Sequence, residues 1–319
     1  MNPLLQPIDF VEKHGTRFSA WSLKDSLAYT RSLSVSHYEN FHLASWLLPR
    51  QLQQDFFNVY AFCRWADDLG DESGSAERSL NLLDWWQEEL TDLYRGKATH
   101  PVYVALQETV HKHNIPQEPF NNLIRGFVQD QTITRYATHN ELLMYCRYSA
   151  NPVGHLILHL CGYKDEERRR LSDFTCTALQ LTNFWQDVAH DWSIGRLYIP
   201  LEHMRSFDYS PAMFEEDLNL GRGSPAFRAL MKELVEETKK LFNKGLPLAD
   251  HVDRHLAVDL ELFSRGGMAI LELIRHQNYD TIRHRPRLGA IKRLRLMLGV
   301  AARRLLRNRL YIRPTRSPD

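Results

Sequence analysis

Cysteine is scarce: four residues in 319, at positions 63, 146, 161 and 176, with no C-x-x-C spacing. So sparse a set excludes a disulfide scaffold and points to a reducing cytosol. No apolar run approaches the ~18–20 residues of a membrane span, so any contact with a bilayer is expected to be peripheral. The opening MNPLLQPIDFVEKHG has early acids and no charged segment followed by an apolar stretch, and no signal peptide is expected. There is no G-x-G-x-x-G after a strand and no P-loop, so no nicotinamide cofactor is expected. Repeats and low-complexity stretches are absent, and strand candidates are few; RLYIP (Arg196–Pro200) is the best of them.

Net charge is almost absent as well, with 40 Lys+Arg against 39 Asp+Glu. The balance hides an asymmetry, because Arg283–Asp319 holds twelve Lys/Arg and one acid. A basic end of this kind suits an anionic partner such as a membrane surface, a nucleic acid or a phosphorylated ligand. With 43% hydrophobic and 25% charged residues, the composition is that of a water-soluble globular protein.

Most of what remains reads as helix. Asp55–Asp68 is apolar on nearly all sides, as a buried helix is, and Ala76–Leu93 has the three- and four-residue spacing of a surface helix. Glu141–Cys161, Ser172–Trp192, Ala226–Asn243, Val258–His276 and Ile291–Leu310 are further long helices. Gly, Ser and Pro gather at Asp71–Ala76, His100–Pro101, Ile115–Pro119, Asp191–Gly195 and Asn219–Pro225, none of them long enough for an interdomain linker. The expectation is an all-α, single-domain bundle.

Two acidic segments stand out. In FCRWADDLGDE, helical spacing puts Asp67 and Asp68 each on a side shared with Asp71, with Tyr60 and Arg64 one and two turns earlier. Like charges crowded at the end of an apolar segment are costly unless a cation joins them. For this cluster alone, a solvated helix end terminated at Gly70 and Ser73-Gly74 is an equal alternative. In QLTNFWQDVAHDW, however, Gln180, Asn183, Asp187 and Asp191 recur at three- and four-residue steps along one side of one helix. Two faces of carboxylate and amide oxygens suit a hard six-coordinate ion, Mg²⁺ best, completed by substrate phosphates.

These motifs resemble the squalene/phytoene synthase family, of the isoprenoid synthase fold with a central cavity, over Ser34–Leu288. DDLGD (Asp67–Asp71) and NFWQDVAHD (Asn183–Asp191) resemble its two aspartate motifs, the second followed by GRLYIP (Gly195–Pro200). YCRYSANPVG (Tyr145–Gly154) is similar to its tyrosine-containing helix break, and HYENF (His37–Phe41) occupies the place of its N-terminal substrate motif. HYENFHLASWLLPR and ANPVGHLILHL are most similar to the hydroxysqualene synthase branch of the bacterial squalene and hopanoid route. Phytoene synthases and eukaryotic squalene synthases more often carry Ala-Gly where this chain has Ala150-Asn151-Pro152, and His190 stands where many relatives have an acid or a small residue.

The resemblance implies a division into an N-terminal segment (1–33), a catalytic domain (34–288) and a basic helix and tail (289–319). It implies two or three Mg²⁺ ions held by Asp67, Asp71, Asn183, Asp187 and Asp191, with Asp68 as a helper. Arg64 would pair with phosphate oxygens, a geometry that suits arginine, and His37, Asn40 and Arg196 would add donors. Tyr60, Tyr145, Gln180 and Tyr198 would line the cleft near the leaving group, while Phe41, Trp65 and Phe127 offer π-faces to a cation or serve as core. The implied substrate is presqualene diphosphate, ionised and then captured by a water that Tyr145, Tyr148 and Asn151 would place. Head-to-head condensation of two farnesyl or other prenyl diphosphates is the neighbouring activity, and a non-catalytic binding relative is the alternative of another class.

The pairs His155/His159 and His251/His255 lack the H-E-x-x-H glutamate and a third ligand, so zinc is not expected. In the basic end, Ile291, Leu294, Leu298, Ala301 and Leu305 form an apolar stripe flanked by Lys292, Arg293, Arg303, Arg304 and Arg307. The stripe is expected to close the bundle with its charges toward water, peripheral docking on anionic lipid being the alternative. No nucleic-acid-binding module accompanies the charge, so no nucleic-acid partner is expected. Nothing in the sequence sets an oligomeric state.

Overall fold

A computed structural model describes residues 5–16, 19–36 and 50–310, with Ala290 and most of 301–310 given as backbone. The expected substrate residues His37, Asn40 and Phe41 lie outside the described residues. Among those described the elements are helices, in keeping with the all-α reading, and each expected break separates two of them.

The N-terminal half is built from α1 (Pro7–His14), α2 (Leu23–Ser36), α3 (Arg50–Asp71), α4 (Ala76–Tyr94), α5 (Pro101–His113) and α6 (Glu118–Asp130). As its composition requires, α3 is buried along most of its length, and Phe62 and Trp65 sit in a core with Phe10, Trp86, Tyr103 and Phe120. Trp65 is fully buried, stacked on Trp86 at 5.1 Å, and donates its indole N–H to the Tyr29 hydroxyl at 3.1 Å. It is therefore a core residue, and the expectation of a π-face for substrate is not met there. Register among α2, α3 and α5 is fixed by buried Asn58. Its oxygen accepts from Thr30 (2.6 Å) and Gln54 (2.9 Å), and its amide donates to the Ala105 carbonyl (3.1 Å) and Thr109 (3.0 Å). A buried amide satisfied on both ends tolerates no slip of one helix along another.

The C-terminal half holds α7 (His139–Ser149), α8 (Asn151–Leu160), α9 (Glu166–Gln186), α10 (Val188–Ser193), α11 (Leu201–Ser206), α12 (Pro211–Asn219), α13 (Pro225–Gly245), α14 (Arg254–His276) and α15 (Ala290–Leu310). Its core is a second aromatic cluster that includes Tyr136, Tyr145, Phe184, Trp185, Tyr198 and Phe227.

Three sequence expectations are corrected. Glu141–Cys161 is two helices that meet at Ala150 (φ −122°, ψ −50°), because Pro152 opens the second and cannot continue the hydrogen bonds of the first. Ser172–Trp192 is likewise two, α9 and α10, meeting at Asp187 (φ −110°, ψ 16°). RLYIP forms no strand. Leu197 makes an isolated parallel bridge to Arg135, with its N–H on the Thr134 carbonyl at 2.9 Å.

α6 and α7 approach so closely at Gly126 that an added Cβ would lie 3.1 Å from the Cα and N of Ser149, both backbone atoms. Gly126→Ala should therefore push the two helices apart and cost on the order of 1–3 kcal/mol, read as a lower thermal unfolding midpoint.

Candidate active site

The last turn of α3 carries the first aspartate motif, and its three carboxylates go different ways. Asp68 is 1% exposed and ion-paired with Arg64, one oxygen buried with no hydrogen-bond partner. It turns from the cleft into the core, so the part expected of it as a metal helper gives way to orienting Arg64. Asp67 is half-exposed, 3.6 Å from Arg64, and Asp71 is exposed at the helix end. Arg64 also reaches Glu72 at 3.4 Å. Its guanidinium is thus held among three carboxylates, beside the cleft in which a phosphate was expected to meet it.

The second motif keeps its spacing through the kink. The Asp187 N–H donates to the Asn183 carbonyl and the Asp191 N–H to the Asp187 carbonyl, both at 2.9 Å. Asn183 is exposed, Gln180, Asp187 and Asp191 are half-buried, and Leu181, Phe184 and Trp185 fill the core side. The chain then turns so that the Arg196 N–H meets the Asp191 carbonyl at 2.8 Å, and the Arg196 side chain reaches Asp71 at 3.2 Å. That ion pair joins the two acidic segments.

Two residues that sequence reading missed complete the cluster. Asp130, at the end of α6, accepts from the Tyr145 hydroxyl at 2.8 Å and from the Tyr198 hydroxyl at 3.5 Å. Tyr198 is stacked on Phe184 at 3.8 Å, and both tyrosines are buried. They therefore buttress Asp130 from the core side, where they had been expected to line the cleft. Arg285 grips Asp187 with two nitrogens, Nη2 at 2.7 Å from Oδ2, and the Gln186 amide pins the neighbouring Pro286 carbonyl at 2.6 Å. Asp130 has no carboxylate within four residues on either side and Arg285 sits in a basic run, so neither gave a local signal.

Burial and mutual repulsion hold Asp67, Asp68, Asp130 and Asp191 above the ordinary carboxylate range. Desolvation and Asp71 push Asp67 up to about 6; desolvation and Asp187 push Asp191 up to about 7. Burial raises Asp130 to about 6 and Asp68 to about 7. Arg196 is partly desolvated, yet Tyr198, Asp130 and Asp71 raise it above its usual value. Carboxylates this crowded gain from a cation. The donors are oxygens, with no thiolate or imidazole among the expected ligands, and that set fits a hard divalent ion of the Mg²⁺ type.

Two kinds of space flank the end of α3. A polar cleft of about 460 Å³ lies beside Asp71, Ser79, Gln131, His190 and Arg196. On the other side a cavity of about 230 Å³ opens at Tyr60, Arg64 and Asp67 and is walled by Phe56, Val59, Phe127, Val153 and Ile157. Phe127 thus stands where a π-face was sought. Phe56, Val153 and Ile157 also border a deeper cavity of about 140 Å³ between α8, α9 and α14, reaching Leu179, Leu256 and Phe263. Charge at the mouth and hydrocarbon walls behind it suit an amphiphile with an anionic head.

Two of the residues expected to place a water are engaged by other side chains. The Tyr148 ring sits 4.1 Å under the Arg125 guanidinium, and Asn151 is buried with its oxygen accepting from Thr177 at 2.9 Å. His155 meets Asp173 at 2.6 Å, an ordinary hydrogen-bonded histidine as expected.

A profile of the squalene/phytoene synthase family matches residues 35–292. The chain is 30% identical to the hydroxysqualene synthase of Rhodopseudomonas palustris over 92% of its own length and 98% of the relative's. It is 31% identical to the phytoene synthase of Thermus thermophilus over 82% and 88%. Among solved structures it is similar to squalene synthase HpnC from Alicyclobacillus acidocaldarius, with 42% identity, a TM-score of 0.75 and coverage of 81% and 95%. It is also similar to a dehydrosqualene synthase in complex with ligand, at 25% identity and TM-score 0.79, over 90% and 98%.

Asp259 in the deep cavity wall supplies a test of the geometry. It is 3% exposed, neither oxygen has a hydrogen-bond partner among the described residues, and burial pushes it up to about 8. Its unfolded value is near 3.9, so the folded chain holds the extra proton and stability falls as pH rises between those values. Asp259→Asn should flatten that slope and raise stability at pH near 9 by on the order of 1–3 kcal/mol in denaturant titrations. Built of helices over its described residues, with no strand among them, and matched over most of its length, the chain belongs to the squalene/phytoene synthase family, whose members are prenyl diphosphate-utilising enzymes.

Proposed function

We propose that this protein is a hydroxysqualene synthase, which ionises presqualene diphosphate and captures the resulting cation with water to release hydroxysqualene and diphosphate. The observation that carries the reading is the join at Asp67 and Arg64, where a cluster of acids and arginines meets an apolar cavity. The choice of branch is supported by ANPVGHLILHL and by the similarity to a hydroxysqualene synthase over nearly the whole of both chains.

In this reading Asp67, Asp71, Asn183, Asp187 and Asp191 hold two or three Mg²⁺ ions, and Asp130 lies close behind them. Bound Mg²⁺ supplies charge neutralisation to the departing diphosphate. Arg64 at the mouth of the apolar cavity, and Arg196 and Arg285 at the acidic cluster, add guanidinium donors, paired at present with Asp67, Asp71 and Asp187, which the ions would engage. The carbon–oxygen bond to the diphosphate breaks with its electron pair on the leaving oxygen, and the cyclopropylcarbinyl cation rearranges and opens. Phe56, Phe127, Val153 and Ile157 keep bulk water from it. One water adds to the cation and loses a proton. No nicotinamide cofactor takes part. Peripheral contact with the inner face of a membrane, through the basic C-terminal helix of a cytoplasmic protein, belongs to the same reading because the product is an oily chain.

Similarity to phytoene synthases favours a second reading, head-to-head condensation of two prenyl diphosphates to presqualene diphosphate, squalene or phytoene. Purified protein with Mg²⁺ and no reduced nicotinamide, given each diphosphate separately, distinguishes the two. Hydroxysqualene from presqualene diphosphate is expected; consumption of farnesyl diphosphate alone would transfer the assignment to condensation. Asp67→Ala and Asp187→Ala should each lower turnover by about 10³ while keeping the unfolding midpoint, and chelation of Mg²⁺ should abolish turnover reversibly. No turnover of either diphosphate by the parent protein, with cellular activity unchanged in both variants, would instead favour a non-catalytic binding protein.

A further inference from the structure

α15 presents its apolar stripe on the wrong side for closing the bundle. Val300 is 1% exposed, Arg303 pairs with Glu261 of α14 at 3.1 Å, and Leu296 comes within 3.9 Å of where a Cβ on Gly266 would stand. The packed face therefore runs through Leu296, Val300 and Arg303. Ile291, Leu294 and Leu298 are 70%, 56% and 61% exposed. From Leu296 to Leu298 the helix turns by about 200°, so Ile291, Leu294 and Leu298 point away from α14, while the side chains of Ala301 and Leu305 lie outside the described residues. The sequence expectation that it closes the bundle is overturned, because the contacts that seat the helix are made by the opposite face.

Lys292, Arg293 and Arg295 are exposed alongside that stripe, and the segment from Arg283 onward carries twelve basic residues and one acid. Exposed leucine and isoleucine with arginine and lysine at the flanks match the two layers of a lipid surface, acyl chains below and anionic headgroups above. Charge also decides against other occupants. A second copy of this face would set one strongly basic surface against another. A nucleic acid would satisfy the cations but leave the apolar stripe in water. Among the described residues no helix is long and apolar enough to cross a membrane.

We infer that α15 is a docking surface for an anionic bilayer, lying flat in the interface with Ile291, Leu294 and Leu298 inserted and its basic residues on the headgroups. The helix begins five residues after Arg285, which grips Asp187 at the acidic cluster. Five residues of chain span at most about 18 Å. Docking therefore brings the mouth of the candidate active site close to the lipid. The choice of lipid as partner is in keeping with the oily product proposed above, and that part of the argument rests on the functional reading.

The test is co-sedimentation of the full chain, without substrate, with vesicles of phosphatidylcholine alone or with about 30% phosphatidylglycerol, at about 0.1 M salt. Binding to the anionic vesicles should exceed binding to the neutral ones by at least about tenfold and fall with added salt. Leu294→Glu with Leu298→Glu should reduce it by about tenfold or more, and Lys292→Gln with Arg295→Gln by about fivefold per charge. Both variants should keep the unfolding midpoint and turnover on detergent-dispersed substrate, since none of these residues is buried or at the acidic cluster. Equal binding to both vesicle types, or anionic binding that survives the leucine substitutions, overturns the inference. So does a dimer that those substitutions abolish while the parent ignores vesicles, or duplex DNA binding in place of vesicle binding. Because vesicle binding is read on the protein alone, it stands or falls separately from the product assay.

Discussion

One ion pair, Arg196 with Asp71, spans the two acidic segments on which the candidate site is built. Without a cation at this point, the acids on α3 and those around α10 would meet as like charges, and burial already holds Asp67 and Asp191 high. Arg196 is placed by its own backbone, through the turn that brings its N–H to the Asp191 carbonyl. The next residue is fixed in turn by the bridge to the Thr134–Tyr136 segment. Backbone pairing thus serves electrostatics: a short extended stretch inside a helical protein carries the charge that reconciles two helices.

The apolar space depends on a different constraint. The two aromatic cores draw on residues from opposite halves of the chain, and the deep cavity lies in the region where α8, α9 and α14 face Phe56 of α3. Large rings are committed elsewhere, Trp65 against Trp86 in one core and Phe184 against Tyr198 in the other. Between them the walls are mostly aliphatic or small side chains, which leave room that stacked rings would have filled. Asp259 is the exception there, and its raised proton affinity keeps the wall uncharged near neutral pH.

Much of this was legible in the chain. Periodicity located the helices, and the spacing of Asp67, Asp71, Asn183, Asp187 and Asp191 marked the acidic segments, because local repetition is what helical geometry exposes in a sequence. What escaped was of another kind. Asp130 and Arg285 reach the site through tertiary packing, Asp130 with Tyr198 68 residues away and Arg285 with Asp187 98 residues away. The kinks at Ala150 and Asp187 fall inside patterns whose hydrophobic period continues across them, and only the first was marked, by the resemblance of YCRYSANPVG to a helix break. The stripe on α15 was read correctly as a stripe, but a period has no direction. Which face meets the protein is decided by Glu261 and the surface of α14, which no spacing within α15 reports.

The arginines that grip the acids have a thermodynamic corollary. Arg64, Arg196 and Arg285 act as internal counter-ions, so on the proposed function divalent ions arriving alone would gain carboxylates only by displacing guanidinium groups. A polyphosphate arriving alone would face those same carboxylates. Arriving together, each takes the partner the other has freed, so head group and metal should load with positive coupling, each raising affinity for the other by the same factor. Free ions at low concentration would then leave the resting site in its arginine-closed form, and reactive hydrocarbon chemistry would begin only once both charged components were aboard.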